Sequence, residues 1–431
     1  MRVLWVSPHC WPDYVLRSPG LGTKSQGGQT VVMYHCPRAL TDANPDLQVD
    51  IYARTETGEP DVVPLGERVR LIRCLCGDPD TYIPKEQFWF GPIQQFVDEV
   101  DAYARRHGLS YDLIHGHYAD GWYAAHHLAE RWGIPYGLTT HSLGRRKRAN
   151  CLAMKEASAE ALDETYAFTV RIGHEEAALP GASRIFPLTE EEGAYMLEHY
   201  EGVRQEQIRA IPNGILLSDF HPRDEAKAAD LRRQLGIQDD ELVVLQAGRV
   251  DPRKGQRELL TAAPGIAEAL EKEDAGPVRF LLVGWSQGEF AEGLEEAVQE
   301  AGVADRVILH PPVGNRDMAP YFWLADVYAH TSTYDILPIV ILEAMASRLG
   351  VVASKNGGAS EILEAGTDGL LVDPYEIGEV QEALVRLLRD EGLRRRLGEE
   401  AHRKVEQRYT WQKVARRLSH QYQEIVEEGG R

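Results

Sequence analysis

Four charged residues in this 431-residue chain have types and spacings that could do chemistry together. Asp335 and Glu343 lie eight residues apart inside an otherwise apolar run, TSTYDILPIVILEAMASRLGVV. Arg249 and Lys254 lie five apart in the loop GRVDPRKG, directly after the strand-like run ELVVLQA. The run from Ile339 reads as a helix that is apolar nearly all round and therefore buried. A charged Glu343 within it is costly unless something pairs with it, so it is either half of a core ion pair or a ligand contact. Asp335 lies nearby, the helix start after Pro338 offers free N–H groups, and Asn356-Gly357-Gly358 follows the next strand. Together these favour a ligand rich in hydroxyls and phosphate. Two cations beside a helix start would suit a diphosphate.

The first half offers weaker signals of the same kind. Gly27-Gly28 stands immediately before a predicted helix, which suits an anion or a close-lying sugar, but neither G-x-G-x-x-G nor GxxxxGK[ST] is present. His115, His117 and Asp120 end one strand, and His141-Ser142 end another. A metal reading of these histidines lacks a convincing carboxylate or thiolate complement, and hydrogen bonding to sugar hydroxyls suits them better. The five cysteines form no C-x-x-C pair and the 15 histidines no H-E-x-x-H, so no metal is predicted. A G-x-S-x-G elbow is also missing, which disfavours a Ser–His–Asp hydrolase.

The elements that must position these residues alternate strand and helix along the chain. That pattern implies an α/β fold of two doubly wound parallel sheets, with ligands beyond the carboxyl ends of the strands. A cleft between the two domains is the default site. Helices are predicted over 29–43, 86–107 and 155–178, and IRAIPNG is read as the last strand of the first half. The charged stretch SDFHPRDEAKAAD is the linker candidate, and the chain after Asp390 is mostly charged helix.

A net charge of −20 disfavours nucleic acid or an anionic membrane surface as the main partner. No run approaches the length of a spanning helix, and the apolar stretch Val3 to Val6 is too short for a signal peptide. The expectation is a cytoplasmic protein with structural thiols.

The chain resembles the retaining GT-B glycosyltransferases, within them the sucrose-phosphate synthase and sucrose synthase branch. The motifs carrying this are Gly27-Gly28, IPNG (Ile211 to Gly214), Arg249 with Lys254, the D-x7-E segment and Tyr409-Thr410-Trp411. More specific are YIPKEQFW (Tyr82 to Trp89), IHGHYADG (Ile114 to Gly121) and HSLG (His141 to Gly144). The resemblance implies an acceptor domain over 1–215, a nucleotide-sugar domain over 216–408, and a terminal helix over 409–431 that packs back on the first domain. It implies that Arg249 and Lys254 hold the donor diphosphate and Glu343 the ribose hydroxyls. Asp335, Leu337, Ile339 and Val340 would face the donor sugar and its phosphate, His141 would lie over the sugar, and Gly27 and Gly28 would border the reacting phosphate. Lys85, His117, Ser142 and Arg171 would meet the acceptor. Transfer would retain anomeric configuration through positioning and charge stabilisation, with no cofactor and no metal, because Lys and Arg neutralise the diphosphate.

The implied reaction moves glucose from a donor such as UDP-glucose to a small phosphorylated sugar, as in sucrose 6-phosphate synthesis. The alternatives are a GDP-mannose or NDP-glucose enzyme making another compatible solute of the glycosylated glycerate type, and a sugar-nucleotide-binding protein without turnover. Three positions depart from the family pattern. Asp335 stands where glutamate is usual, followed by Leu337-Pro338 rather than Phe-Gly; Thr169-Val170-Arg171-Ile172 carries one cation where two are usual; and Leu216 replaces an acid.

Overall fold

The computed structural model describes residues 1–13, 28–55, 61–76, 85–153, 158–286 and 288–429, with Lys85, Glu86 and Glu289 as backbone only. Among these residues the strands form two sheets. The first has seven, β1 (Arg2–Val6), β2 (Gln48–Arg54), β3 (Val62–Pro64), β4 (Val69–Cys74), β5 (Leu113–His117), β6 (Tyr136–Thr139) and β7 (Arg184–Phe186). Their order is β3-β4-β2-β1-β5-β6-β7, parallel except where β3 meets β4. The second sheet has six, β8 (Leu242–Ala247), β9 (Val278–Val283), β10 (Val307–His310), β11 (Val327–His330), β12 (Gly350–Ser354) and β13 (Leu370–Val372), in the order β10-β9-β8-β11-β12-β13. All its described pairings are parallel.

The central strands are near-continuous apolar runs because helices cover both faces. Val3 to Val6 and Val243 to Leu245 are fully buried. In each sheet the chain works outward from one central strand, then crosses back to its other side. The switch falls between β1 and β5 in one sheet and between β8 and β11 in the other. Crevices for ligands open at such points, beyond the strand ends. The loops leaving β1, β5, β8 and β11 are therefore the functional candidates.

The chain divides into two compact units. One comprises Met1–Asp13, Gln29–Pro212 and Val414–Arg431, and the other is built on Asn213–Lys413. Most of the helix Trp411–Gly429 thus belongs to the first unit. Tyr422 is buried there, accepting a 3.0 Å hydrogen bond from Trp5 Nε1, and Arg184 pairs with Glu428 at 2.6 Å.

Four expected elements take another form. The region 155–178 holds the helices Ala159–Tyr166 and Phe168–Ala178, preceded by Gly144–Ala153. They break at Ala167, which has φ 49°, and Asp163 Oδ1 accepts from Thr169 N at 2.6 Å to cap the second. A left-handed residue with a local cap outweighs the helical period on either side. The region 86–107 splits into Lys85–Phe88 and Pro92–Arg106, with Pro92 opening the longer helix. IRAIPNG forms a single bridge, Ile208 to Ile185, because Pro212 has no N–H to extend a ladder. SDFHPRDEAKAAD lies inside the second unit, where Phe220 is buried and its carbonyl accepts from Trp323 Nε1 at 2.8 Å. Its charge pattern hid this apolar anchor.

Candidate functional site

In the second unit, side chains stitch the loops after β8 and β11 together. Gln246 Nε2 donates to Lys254 O at 2.9 Å and to Thr331 Oγ1 at 3.2 Å. Thr331 Oγ1 donates to Gly255 O at 2.6 Å, and Thr333 N to Arg253 O at 2.9 Å. Gly255 has φ 76°, and a Cβ there would stand 2.0 Å from Thr331 O, so this junction admits only glycine. Gly357 has φ 74°, and its Cβ would stand 2.3 Å from Asp335 O, while Gly358 N donates to that same carbonyl at 2.9 Å. The Asn356-Gly357-Gly358 turn, read from sequence as an approach to ligand, makes its closest approach to the backbone of Asp335.

This scaffold brings Lys254 Nζ to 2.5 Å from Asp335 Oδ1. Ser332 Oγ donates to Oδ2 at 2.7 Å, and His330 Nε2 lies 3.1 Å from the same oxygen. Burial alone would raise the Asp335 carboxyl, but the Lys254 charge and His330 outweigh it and hold the group well below the ordinary carboxylate range. Arg249 is exposed and makes no ion pair among the described residues, while the neighbouring Arg253 is taken by Asp251 at 2.8 Å. Arg249 thus remains available to an external anion.

Glu343 behaves differently. It is buried in the helix Ile339–Ala346 and, among the described residues, has no ion-pair partner. Desolvation pushes it up to about 7, with a hydrogen bond from Asn315 opposing and Asp219 adding to the rise. The core ion pair allowed by the sequence is not what forms. Ile339 and Val340 are half-buried at the helix start, and buried Leu337 accepts from Asn213 Nδ2 at 3.3 Å through its carbonyl. The IPNG motif thus fixes the turn that enters this helix.

In the first unit, His141 follows β6 with φ 61°, a strained value for a residue with a side chain. Its Nε2 lies 3.0 Å from His117 Nδ1. His9, in the loop after β1, places Nδ1 2.5 Å from Asp120 Oδ2, and Asp120 Oδ1 accepts from Gly121 N at 2.9 Å. Burial pulls His141 down to about 3, with His9 adding and Asp120 opposing, and it pulls His117 far below its ordinary value too. Both rings are neutral at pH 7. Neutral imidazoles can hydrogen-bond a hydroxyl but cannot neutralise a phosphate.

Two of the expected acceptor residues are enclosed by other side chains. His117 is 1% exposed, its ring packed 4.2 Å from that of Trp5 and its Nδ1 turned to His141. Arg171 is 3% exposed; it donates to Glu175 Oε1 at 2.9 Å, Tyr118 OH at 2.8 Å and Ser142 O at 2.7 Å. Glu175 in turn accepts from Gly144 N at 3.0 Å and from Tyr200 OH at 2.5 Å. Arg171 therefore clamps the HSLG loop through the Ser142 carbonyl. Arg171→Met should cost about 3–5 kcal/mol of stability, because it strands Glu175 in the core, and chemical denaturation measures it. A loss confined to acceptor KM, with stability intact, would restore the binding role. Gly27 and the Lys85 side chain lie outside the described residues, and Gly28 opens the helix Gly28–Ala43.

Sequence reasoning missed His330, Ser332 and His9. All three follow or end strands next to a switch point, and proximity to that point was the available signal. One group of metal-binding type lies close together among the described residues, His126, His127 and Glu130. It sits toward the far end of the helix Tyr118–Trp132, away from these loops.

Comparisons with known proteins agree with this layout. Residues 27–214 match the family described as "Glycosyl transferase 4-like domain" and residues 227–404 "Glycosyl transferases group 1". The chain is 32% identical over 431 residues to a D-inositol 3-phosphate glycosyltransferase of Corynebacterium urealyticum, covering 99% of this chain and 96% of that protein. It is 27% identical over 421 residues to a mannosylfructose-phosphate synthase of Agrobacterium fabrum, covering 97% and 90%. The structure is similar to that of a sucrose-phosphate synthase from Thermosynechococcus elongatus, with a TM-score of 0.82 and 29% identity over 99% of this chain and 100% of that one.

Proposed function

Since the chain belongs to the group 1 glycosyl transferases of GT-B architecture, we propose that it moves a hexose from a nucleotide sugar to a small phosphorylated acceptor. The observation that carries this reading is the Lys254–Asp335 pair at the β8/β11 switch, together with Arg249 and the buried Glu343, neither of which makes an ion pair among the described residues. Arg249 and Lys254 take the diphosphate, Glu343 the ribose hydroxyls, and Asp335 the donor sugar. The amides and side chains around Leu337, Ile339 and Val340 border the sugar and its phosphate, as Gly27 and Gly28 do in the first half.

His141, a neutral ring, hydrogen-bonds the donor sugar, while Lys85 and the Ser142 region serve the acceptor. The acceptor oxygen bonds to the anomeric carbon as the bond from that carbon to the diphosphate breaks. The acceptor proton passes to the departing diphosphate, and configuration is retained. The chain's contribution is positioning and charge stabilisation, with two cations doing for the diphosphate what a metal does elsewhere. No cofactor is required beyond the donor itself, and the reaction belongs in the cytoplasm.

The first donor–acceptor pair to assay is UDP-glucose with fructose 6-phosphate, the substrates of sucrose 6-phosphate synthesis. The names of the similar proteins support two further pairings, a mannosyl donor with fructose 6-phosphate and a nucleotide sugar with an inositol phosphate. The shortened acid at Asp335 favours testing mannosyl donors early, alongside glycerate acceptors. A matrix of UDP-, ADP- and GDP-sugars against these acceptors should release nucleoside diphosphate for one pair above all others. Nucleotide binding by calorimetry, without turnover in any pair, would leave a binding protein and overturn the transferase reading.

A further inference from the structure

The buried histidines behind His141 form two hydrogen-bonded sets whose proton positions can be worked out. Trp5 Nε1 has only a hydrogen to give, and it donates to Tyr422 OH at 3.0 Å. Were Tyr422 OH to accept from His115 as well, its own buried hydrogen would have no acceptor among the described residues, so it donates to His115 Nδ1 at 2.5 Å. His115 is neutral, since burial holds it well below its ordinary value, so its proton sits on Nε2 and is given to Thr139 Oγ1 at 2.8 Å. Both nitrogens of His115 are consumed. Its ring lies 4.1 Å from that of His117 yet offers His117 no hydrogen bond.

Among the described residues His117 is left with one hydrogen-bond partner. Its Nδ1 faces His141 Nε2 at 3.0 Å, and its buried Nε2 meets no partner among them. One of the two facing nitrogens must donate. If His141 donated, His117 would carry its proton on Nε2, a buried N–H with no acceptor. If His117 donates, its Nε2 is a bare lone pair. Buried N–H groups without acceptors are the rarer fault in folded proteins, and the second arrangement avoids one.

We propose that His117 donates to His141 Nε2, so that His141 carries its own proton on Nδ1. His141 is partly exposed, and Nδ1 makes no hydrogen bond among the described residues. The atom it offers to a ligand is then an N–H donor and not a basic lone pair. It is suited to a sugar hydroxyl or phosphate oxygen and cannot accept the acceptor's proton. His117 is a positioning residue, acting through His141. The consequence for transfer rests on the donor-sugar role proposed above; the tautomer does not.

The test is nitrogen NMR of full-length enzyme labelled with ¹⁵N-histidine, with the His141 signals identified by their loss in His141→Gln. The expected pattern is the neutral Nδ1–H tautomer, unchanged down to pH 5. His117→Phe keeps the packing on Trp5 but removes the hydrogen bond, and should release His141 into a mixture of tautomers. His117→Asn, whose amide reaches the position of Nδ1, should restore the pattern. In the same series kcat should fall roughly tenfold in His117→Phe and recover in His117→Asn, with donor KM little changed. An Nε2–H pattern in the wild-type protein overturns the proposal even if no variant folds, and so does a pattern that His117→Phe leaves unmoved. The expected tautomer shift with unchanged kcat would instead count against the transfer role of His141, leaving the proton assignment in place.

Discussion

Lys254→Ala should lower kcat/KM for the nucleotide sugar at least ~100-fold, a loss of roughly 3 kcal/mol at the transition state. Two effects combine in that figure. The leaving diphosphate loses a cation at the point where its charge grows. The Asp335 carboxylate also loses the charge 2.5 Å away that holds it ionised against burial. With Lys254 gone, desolvation is opposed by His330 and the Ser332 hydroxyl without a permanent positive charge, so the carboxyl titrates upward and no longer faces the sugar as a fixed anion. Steady-state kinetics at saturating acceptor measures the loss. Thermal stability should move far less, because the Lys254 side chain is 28% exposed and solvent screens the pair. A near-wild-type rate would mean that the β8 loop does not hold the diphosphate.

Glu343→Gln is expected to act in opposite directions on stability and on donor binding. Glu343 stands at about 7 in the folded chain against an ordinary value of 4.5. Between those pH values the native state keeps a proton that the unfolded chain has released, so stability falls as pH rises through the window. Above pH 7 the ionised, buried acid leaves the protein less stable by about 3 kcal/mol, a deficit the neutral glutamine does not carry. The variant should therefore melt several degrees above wild type at pH 8 and show no advantage near pH 4.5. Equal melting at pH 8 would mean that Glu343 is not ionised in the core. Glu192 in the first unit is likewise raised to about 7 by burial, so part of the pH dependence should survive in the variant.

Donor binding should weaken about tenfold or more in Glu343→Gln, because ribose hydroxyls donate best to an ionised acceptor. In the wild-type protein nucleotide binding should release protons near pH 6.5, and calorimetry in buffers of differing ionisation heat detects it.

Much of the architecture was legible because parallel strands buried on both faces leave continuous apolar runs. The runs ELVVLQA and DVYAHTS each mark a strand and the loop that follows it. Asp335 and Lys254 were legible for a related reason, since charges at the ends of such runs stand where the sheet cannot bury them. Arg171 was not legible, because a cation that clamps a loop and a cation that meets a phosphate look alike until Glu175 and Tyr118 are seen around it. Glu343 was half legible. Its burial followed from the apolar helix, but the lack of a counter-ion depends on residues far away in the chain, Asn315 and Asp219. The break at Ala167 left no composition signal, because its cause is a single backbone angle.

The first unit takes its strands from residues before Pro212 and one helix from beyond Lys413, whereas the second is built mainly on the stretch between them. Synthesis runs from the amino terminus, so the second unit can be complete while the first still lacks the helix that carries Tyr422. Until that helix arrives, Trp5 has no hydroxyl to donate to, and His115 Nδ1 has no donor. The hydrogen bonds that place the proton of His115 therefore form only after the second unit has been synthesised.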